Sequence, residues 1–288
     1  MEQAQRAEGF EVPQFVDVGD ARVCYRKVGD GPSLVLLHGF PLSALTWRKL
    51  VPRLSTRFTC YAFDLVGLGD SRSRAAADFA SPGQGAVIQQ ALRALGVSSY
   101  ALLGNDTGGW IARELALLDT DRVTHLALTN TEIPGHRPPW ISLYQRLARM
   151  PGSRVGFRRV LGSRRLRRSS LAFGGCFAEP DIIDGEFGDL FVRPLVSKPE
   201  RLSSALRFLV LMNFRWLDRL HREHAKLVMP VAFLWGADDP TFPEQHARAM
   251  LPQFRNVAGF TSVPNAKLFF YEEQPELVAE WLVRFVGR

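Results

Sequence analysis

Gly104-Asn105-Asp106-Thr107-Gly108-Gly109 sets an aspartate between glycines two positions before it and two after it. An apolar run, 100–103, leads into this stretch, and an amphipathic helical pattern through Ala112, Leu115 and Leu118 leaves it. Glycine at those spacings lets a strand turn sharply into a helix and pack closely against it. A central side chain is then held out at the carboxyl end of a sheet. A carboxylate there is a nucleophile toward carbon or a general acid or base. Taken alone, the pattern fits equally well a glycine-rich turn in which Asp106 caps a helix.

The remaining chain supplies elements that would carry such a site. Strands are expected at 15–18 and 22–28, joined at Gly19-Asp20, and at 33–37, 58–65 and 100–103, then 123–128, 231–235 and 258–263. Several of these are continuous apolar runs of the doubly buried kind. Helices are expected around 47–54 and 86–95 (with Gly96 just past its end), after the turn through Ala112, Leu115 and Leu118, and around 244–251 and 275–286. Residues 1–12 read as a loose leader. From Ile133 onward proline, arginine and phenylalanine rise and no strand pattern returns before Pro230. The reading is a core of 1–133 and 227–288, with a helical cap at 134–226. Alternating strands and helices imply an α/β architecture, a mostly parallel sheet covered on both faces.

Composition narrows the class. The chain has 288 residues, 46% hydrophobic and 23% charged, enough for one large core with an insertion. Its net charge is +7, and Arg154, Arg158, Arg159, Arg164, Arg165, Arg167 and Arg168 concentrate much of it. An anionic partner is one reading. A solvated helical face is preferred, since no aromatic-interleaved nucleic-acid module accompanies it. Three cysteines without metal-ligand spacing imply no disulfide framework, no metal and no cofactor. Cys24 and Cys60 read as buried thiols. The N-terminus has no signal-like apolar region and no run spans a bilayer, so the expectation is a cytoplasmic protein. Its expected partners are a small apolar substrate and possible self-pairing as a homodimer, with no nucleic acid and no membrane.

The motifs together resemble the α/β-hydrolase fold, in its aspartate-nucleophile branch of epoxide hydrolases, haloalkane dehalogenases and haloacetate dehalogenases. His38-Gly39-Phe40-Pro41 is similar to that branch's oxyanion loop, and the phenylalanine matches epoxide hydrolases and haloacetate dehalogenases best. Residues 64–71 resemble the D-x-x-G-x-G-x-S loop. The resemblance covers almost the whole chain. It implies Asp106 as nucleophile and the Phe40 and Thr107 N–H groups as oxyanion hole. It implies Asp239, in Gly-x-x-Asp-Pro, as supporting acid, with Asp238 as an adjacent decoy. Glu132, at the end of the strand after the turn, is the second candidate acid. The pocket is expected to take in His38, Trp110, His136, Trp140, Tyr144 and Leu268.

One departure is chemical. The family's final loop reads V-P-x-A-G-H-F; here 263–269 reads Val-Pro-Asn-Ala-Lys-Leu-Phe, so Leu268 occupies the histidine position. Carboxylate attack needs no histidine, but hydrolysis of the resulting ester needs a base. Thr107 also replaces the halide-holding tryptophan of haloalkane dehalogenases, the haloacetate dehalogenases' arginine after the nucleophile is missing, and Tyr144 is the cap's one tyrosine. Three functions stay open: an atypical hydrolase acting through Asp106, a non-hydrolytic lyase, isomerase or cyclase, and a binding protein without turnover.

Overall fold

A computed structural model describes residues 9–170 and 172–287. Nine strands form one sheet: β1 Gln14–Val18, β2 Ala21–Val28, β3 Ser33–Leu37, β4 Thr59–Phe63, β5 Arg72–Ser73, β6 Tyr100–Asn105, β7 Val123–Thr129, β8 Val231–Gly236 and β9 Val257–Val263. Their order is β1-β2-β4-β3-β6-β7-β8-β9, with β5 on β2. β1 and β2 form the expected antiparallel hairpin, Val18 opposite Ala21. From β4 to β9 every pairing is parallel. Residues 34–37 and all of β4, β6 and β8 are buried, as two covered faces require.

The helices are α1 Val51–Leu54, α2 Ser81–Ala94, α3 Thr107–Leu118, α4 Pro139–Arg149, α5 Ser153–Gly162, α6 Arg164–Arg167, α7 Arg193–Ser197, α8 Pro199–Leu211, α9 Phe214–Glu223, α10 Glu244–Met250 and α11 Pro275–Val286. The single helix expected at 47–54 is instead a 3-10 turn, Ala44–Lys49, followed by α1. Pro52 lies at the start of α1, where its missing N–H is tolerated, which fits a restart there. Between β7 and β8 the described residues contain no strand; the interval is helices and turns.

Of the leader, residues 1–8 lie outside the described residues. Residues 9–12 form a turn rather than a loose end, because Phe10 is 3% exposed and joins the core. Arg154, Arg158, Arg159, Arg164 and Arg165 are exposed. Arg164 and Arg167 pair with Asp184, and Arg168 with Asp181 and Asp184. Cys24 and Cys60 are buried free thiols. Cys24, Asp64 and Asp70 bring possible metal-ligand atoms together, but both Asp64 oxygens already accept N–H groups, from Ala44 and Asp70. No helix among the described residues is long and apolar enough to cross a membrane.

Candidate active site

β6 ends at Asn105 and α3 begins at Thr107, so Asp106 alone makes the turn. Its φ of 50° and ψ of −134° lie where side chains are rarely found. The neighbouring glycines allow it. A Cβ on Gly104 would stand 2.5 Å from the Gly108 carbonyl oxygen, and one on Gly108 only 2.1 Å from that of Leu37. The turn is bolted to the end of β7: the Asp106 N–H donates to the Asn130 carbonyl and the Thr131 hydroxyl donates to the Asp106 carbonyl, each at 2.8 Å.

The Asp106 side chain makes no helix cap. Instead its Oδ2 accepts the Phe40 N–H at 2.8 Å. The N–H groups of Phe40 and Thr107 both favour the ionised carboxylate. Burial, followed by the nearby Glu132 charge, outweighs them and raises Asp106 well above the usual carboxylate range. Phe40 is itself steadied by stacking on Phe208 of α8, ring centres 5.7 Å apart.

A cavity of about 520 Å³ opens over Asp106. Its wall holds Phe40, Thr107, Glu132, Trp140, Tyr144, Cys176 and Leu268. Ile141, Leu147, Met150, Phe157 and Leu206, from α4, α5, α8 and the turns between them, make it mostly apolar.

Glu132 stands beside Asp106 on this wall. Its Oε1 accepts the Thr107 hydroxyl at 2.9 Å, and its Oε2 lies 3.2 Å from the Thr131 hydroxyl oxygen. Burial raises it too, opposed by Thr107 and the Arg113 charge. Asp239 is the buried member of its adjacent pair; Asp238 is exposed. Asp239 does not line the cavity. Its Oδ1 accepts the Thr241 N–H and its Oδ2 the Asn130 side-chain amide, both at 2.8 Å, while burial pushes it up to about 6.

Three expected pocket residues lie elsewhere. His38 is fully buried with both ring nitrogens committed: Nδ1–H donates to the Gly39 carbonyl at 2.9 Å, and Nε2 accepts the Leu65 N–H at 3.0 Å. It pins the oxyanion loop to the loop after β4 and stays neutral, because burial lowers its affinity for a second proton. Trp110 is fully buried against Phe214 of α9, ring centres 5.8 Å apart. His136 bonds the Thr241 carbonyl and stacks on His246, outside the wall. None of the six histidines lines the cavity. Lys267, beside the altered position, is half-buried and also off the wall.

The sequence reading missed Arg113, Asn130, Thr131 and Cys176. Arg113 is a fully buried guanidinium behind Glu132; Nη2 donates to the Glu132 carbonyl at 2.6 Å and to the Thr131 hydroxyl at 3.2 Å. Its signal was a charge set within the apolar stripe of α3, beside Ala112, Leu115 and Ala116.

Comparison with known proteins agrees with this architecture. The family model described as alpha/beta hydrolase fold matches residues 32–170. The chain is 37% identical over 125 residues to a fluoroacetate dehalogenase of a Burkholderia species, a match covering 42% of this chain and 41% of that one. It is 36% identical over 114 residues to a soluble epoxide hydrolase of a Corynebacterium species, covering 40% and 39%. These two matches thus span about two fifths of each relative. Among solved structures, an alpha/beta hydrolase fold protein from Burkholderia ambifaria superposes with a TM-score of 0.81 at 22% identity, covering 96% of this chain and 98% of that one. Parallel strands flanked by helices, the turn at Asp106 and these matches together identify the chain as one with the α/β-hydrolase fold.

Proposed function

We propose that this chain is a hydrolase-type enzyme in which Asp106 attacks an electrophilic carbon of a small apolar substrate. One observation carries the reading. Asp106 Oδ2 sits 2.8 Å from the Phe40 N–H while the carboxyl group faces an apolar cavity. One oxygen is thereby held where an ester carbonyl and its oxyanion would be stabilised, and the other is left for attack. On this reading the helical segment 134–226 is a cap that supplies most of the apolar wall. The dehalogenase and epoxide hydrolase names among the relatives support carbon electrophiles over carboxylic esters.

A second reading, non-hydrolytic conversion or ligand binding without turnover, is favoured by Leu268. Its side chain stands on the cavity wall at the position where the resemblance calls for a histidine. One experiment separates the two. The protein is incubated with panels of epoxides, primary haloalkanes and activated esters, and both product and intact mass are followed. A mass increase mapped to Asp106, absent in Asp106→Asn, supports attack by this residue. Neither adduct nor hydrolysis product across the panels favours the second reading, whereas hydrolysis product without accumulated adduct means that another residue activates water at the Asp106 ester.

A further inference from the structure

Asp106 and Glu132 open onto the same cavity, and they are only 7% and 4% exposed. The one hydrogen of the Thr131 hydroxyl faces two acceptors, the Asp106 main-chain carbonyl and the Glu132 carboxyl. The hydroxyl oxygen lies 2.8 Å from the Asp106 carbonyl and 3.2 Å from Glu132 Oε2, and it accepts from Arg113 Nη2 at 3.2 Å. With its proton on the shorter contact, the approach of Glu132 Oε2 is satisfied by a proton on the glutamate. Arg113 leaves this arrangement standing, since its Nη2 is turned to the Glu132 main chain and its Nη1 toward His224. Burial raises both carboxyl groups, and the Glu132 charge raises Asp106 further. Two buried carboxyls on one wall favour sharing a proton over both being ionised, and the geometry places it: Asp106 faces the Phe40 main-chain N–H, which can only donate, while Glu132 faces the Thr107 and Thr131 hydroxyls, which can turn to accept.

We propose that Glu132 is the proton donor of this site and then its base, and that the substrates are epoxides, whose ring oxygen needs a proton as it leaves carbon. The proposal rests on Asp106 being the nucleophile. A halide leaving group needs hydrogen-bond donors instead. At the turn itself the Thr107 hydroxyl already donates to Glu132 and Trp110 does not reach the cavity, which leaves donors on α4 such as Trp140 and Tyr144 rather than one beside Asp106.

The steps balance. The free oxygen of the Asp106 carboxylate bonds to an epoxide carbon. The C–O bond breaks with its electron pair going to oxygen, and that oxygen takes the Glu132 proton. Glu132 is now a carboxylate beside an alkyl ester. It takes a proton from water as the hydroxide bonds to the ester carbon. The oxyanion is held by the Phe40 and Thr107 N–H groups. Collapse breaks the alkyl C–O link at the acyl carbon, and the departing alkoxide takes the proton of the new Asp106 carboxylic acid. A diol leaves, with Asp106 ionised and Glu132 protonated as at the start. One residue thus does what an acid and a separate histidine would otherwise share.

The test compares 1,2-epoxyhexane with 1-bromohexane, which needs no proton to leave. The unaltered protein should alkylate Asp106 with both and release hexane-1,2-diol. Glu132→Gln should slow epoxide opening about 100-fold or more. It should slow alkylation by 1-bromohexane far less and make that adduct persist. On the unaltered protein, epoxide opening should fall at alkaline pH as the pair loses its last proton, while alkylation by the bromide keeps rising. The other ionisable groups facing the pair are Arg113 on α3, Asp239 beyond β8, Tyr271 before α11, and Cys176 and Tyr144 across the cavity, with Lys267 beside it. They act on both substrates alike, so the difference between the two profiles reads the pair. Parallel profiles or equal losses for both substrates in Glu132→Gln would overturn the assignment while leaving Asp106 as nucleophile. Neither adduct nor diol, or diol release that survives Asp106→Asn, would overturn the underlying reading and this one with it.

Discussion

Asn130 is the fixed partner of Asp239. Its side-chain amide donates to Asp239 Oδ2 at 2.8 Å and to the Gly236 carbonyl at 3.2 Å, while its Oδ1 accepts the Gly236 N–H at 2.7 Å. The end of β7 is thereby laced to the end of β8, and the acid that would orient a ring at position 268 is already held from the side. Asn130→Asp removes the donor and places a second carboxyl against Asp239. It should cost about 2–4 kcal/mol of stability. Asp239 ionises near 6, so the loss should be larger at pH 8 than at pH 5. Urea unfolding at the two pH values checks this; equal losses would contradict it.

Asp106→Asn should abolish the covalent adduct, because a neutral amide is a poor nucleophile. Its effect on stability has a definite sign. The folded protein raises Asp106, so the contribution of this group to stability is fully present at low pH and is lost as pH rises through the raised value. Asparagine does not ionise and can still accept the Phe40 N–H. The variant should therefore gain stability relative to the wild type as pH rises from 5 to 8, as is expected where a functional carboxyl is held against its own preference. Thermal melts across that range test it, and a gain that shrinks with pH would contradict the electrostatic account.

How much of this was legible in the sequence follows from what fixed each part. β3, β4, β6 and β8 were readable because a doubly covered parallel strand must be a continuous apolar run. Asp106 was readable because only glycine fits at 104 and 108, where a Cβ would meet backbone. The helical segment was readable only as a change of texture. Phe173, Phe177 and Phe187 pack on one another and Phe177 and Phe187 reach Phe269 of the closing loop, contacts that leave no local period. His38 misled because its residue type suggests chemistry, whereas two backbone groups occupy its ring. Arg113 was hidden because its partners, Glu132 and Thr131, come from another strand end, and only the fold brings them together.

Gly39→Ala tests the oxyanion loop directly. A Cβ at Gly39 would stand 2.5 Å from both Cβ and Oδ2 of Asp106, pushing the carboxyl off the Phe40 N–H. Alkylation of Asp106 should fall about 100-fold, since an ångström of misplacement is costly at a reacting atom. Stability should fall by only about 1–3 kcal/mol, the usual range for overpacking. Gly259→Ala on β9, away from the cavity wall, where a Cβ meets nothing within 4 Å, is the neutral control. Rates are read by intact mass and stability by urea; unchanged alkylation in Gly39→Ala would remove the Phe40 N–H from the account.

Leu268→His asks whether the scaffold still accepts the missing base. The backbone at 268 is fixed independently of its side chain, because Asn105 Nδ2 donates to the Leu268 carbonyl at 2.9 Å. The preceding residues are tied to the end of β8, where the Asp238 N–H donates to the Ala266 carbonyl at 2.9 Å. A ring at 268 thus starts on the cavity wall that Asp106 also faces, with Asp239 just beyond the same strand end. Asp239 Oδ2 accepts one bond from Asn130 and keeps a lone pair for an Nδ1–H. The substitution should cost about 1–3 kcal/mol, because it buries a polar group in place of a leucine that is 5% exposed. It should shorten the life of the Asp106 ester by about 10–100-fold, the lower range for a positioned general base. Removing Asp239 in that background should cancel the gain, since the ring then loses its orienting partner. Combining Leu268→His with Glu132→Gln sharpens the outcome. The bromide-derived ester, long-lived in Glu132→Gln alone, should again be hydrolysed, while epoxide opening stays slow for want of its proton donor. Equal ester lifetimes with and without the histidine would show that this cavity no longer admits water to the ester from the side of residue 268.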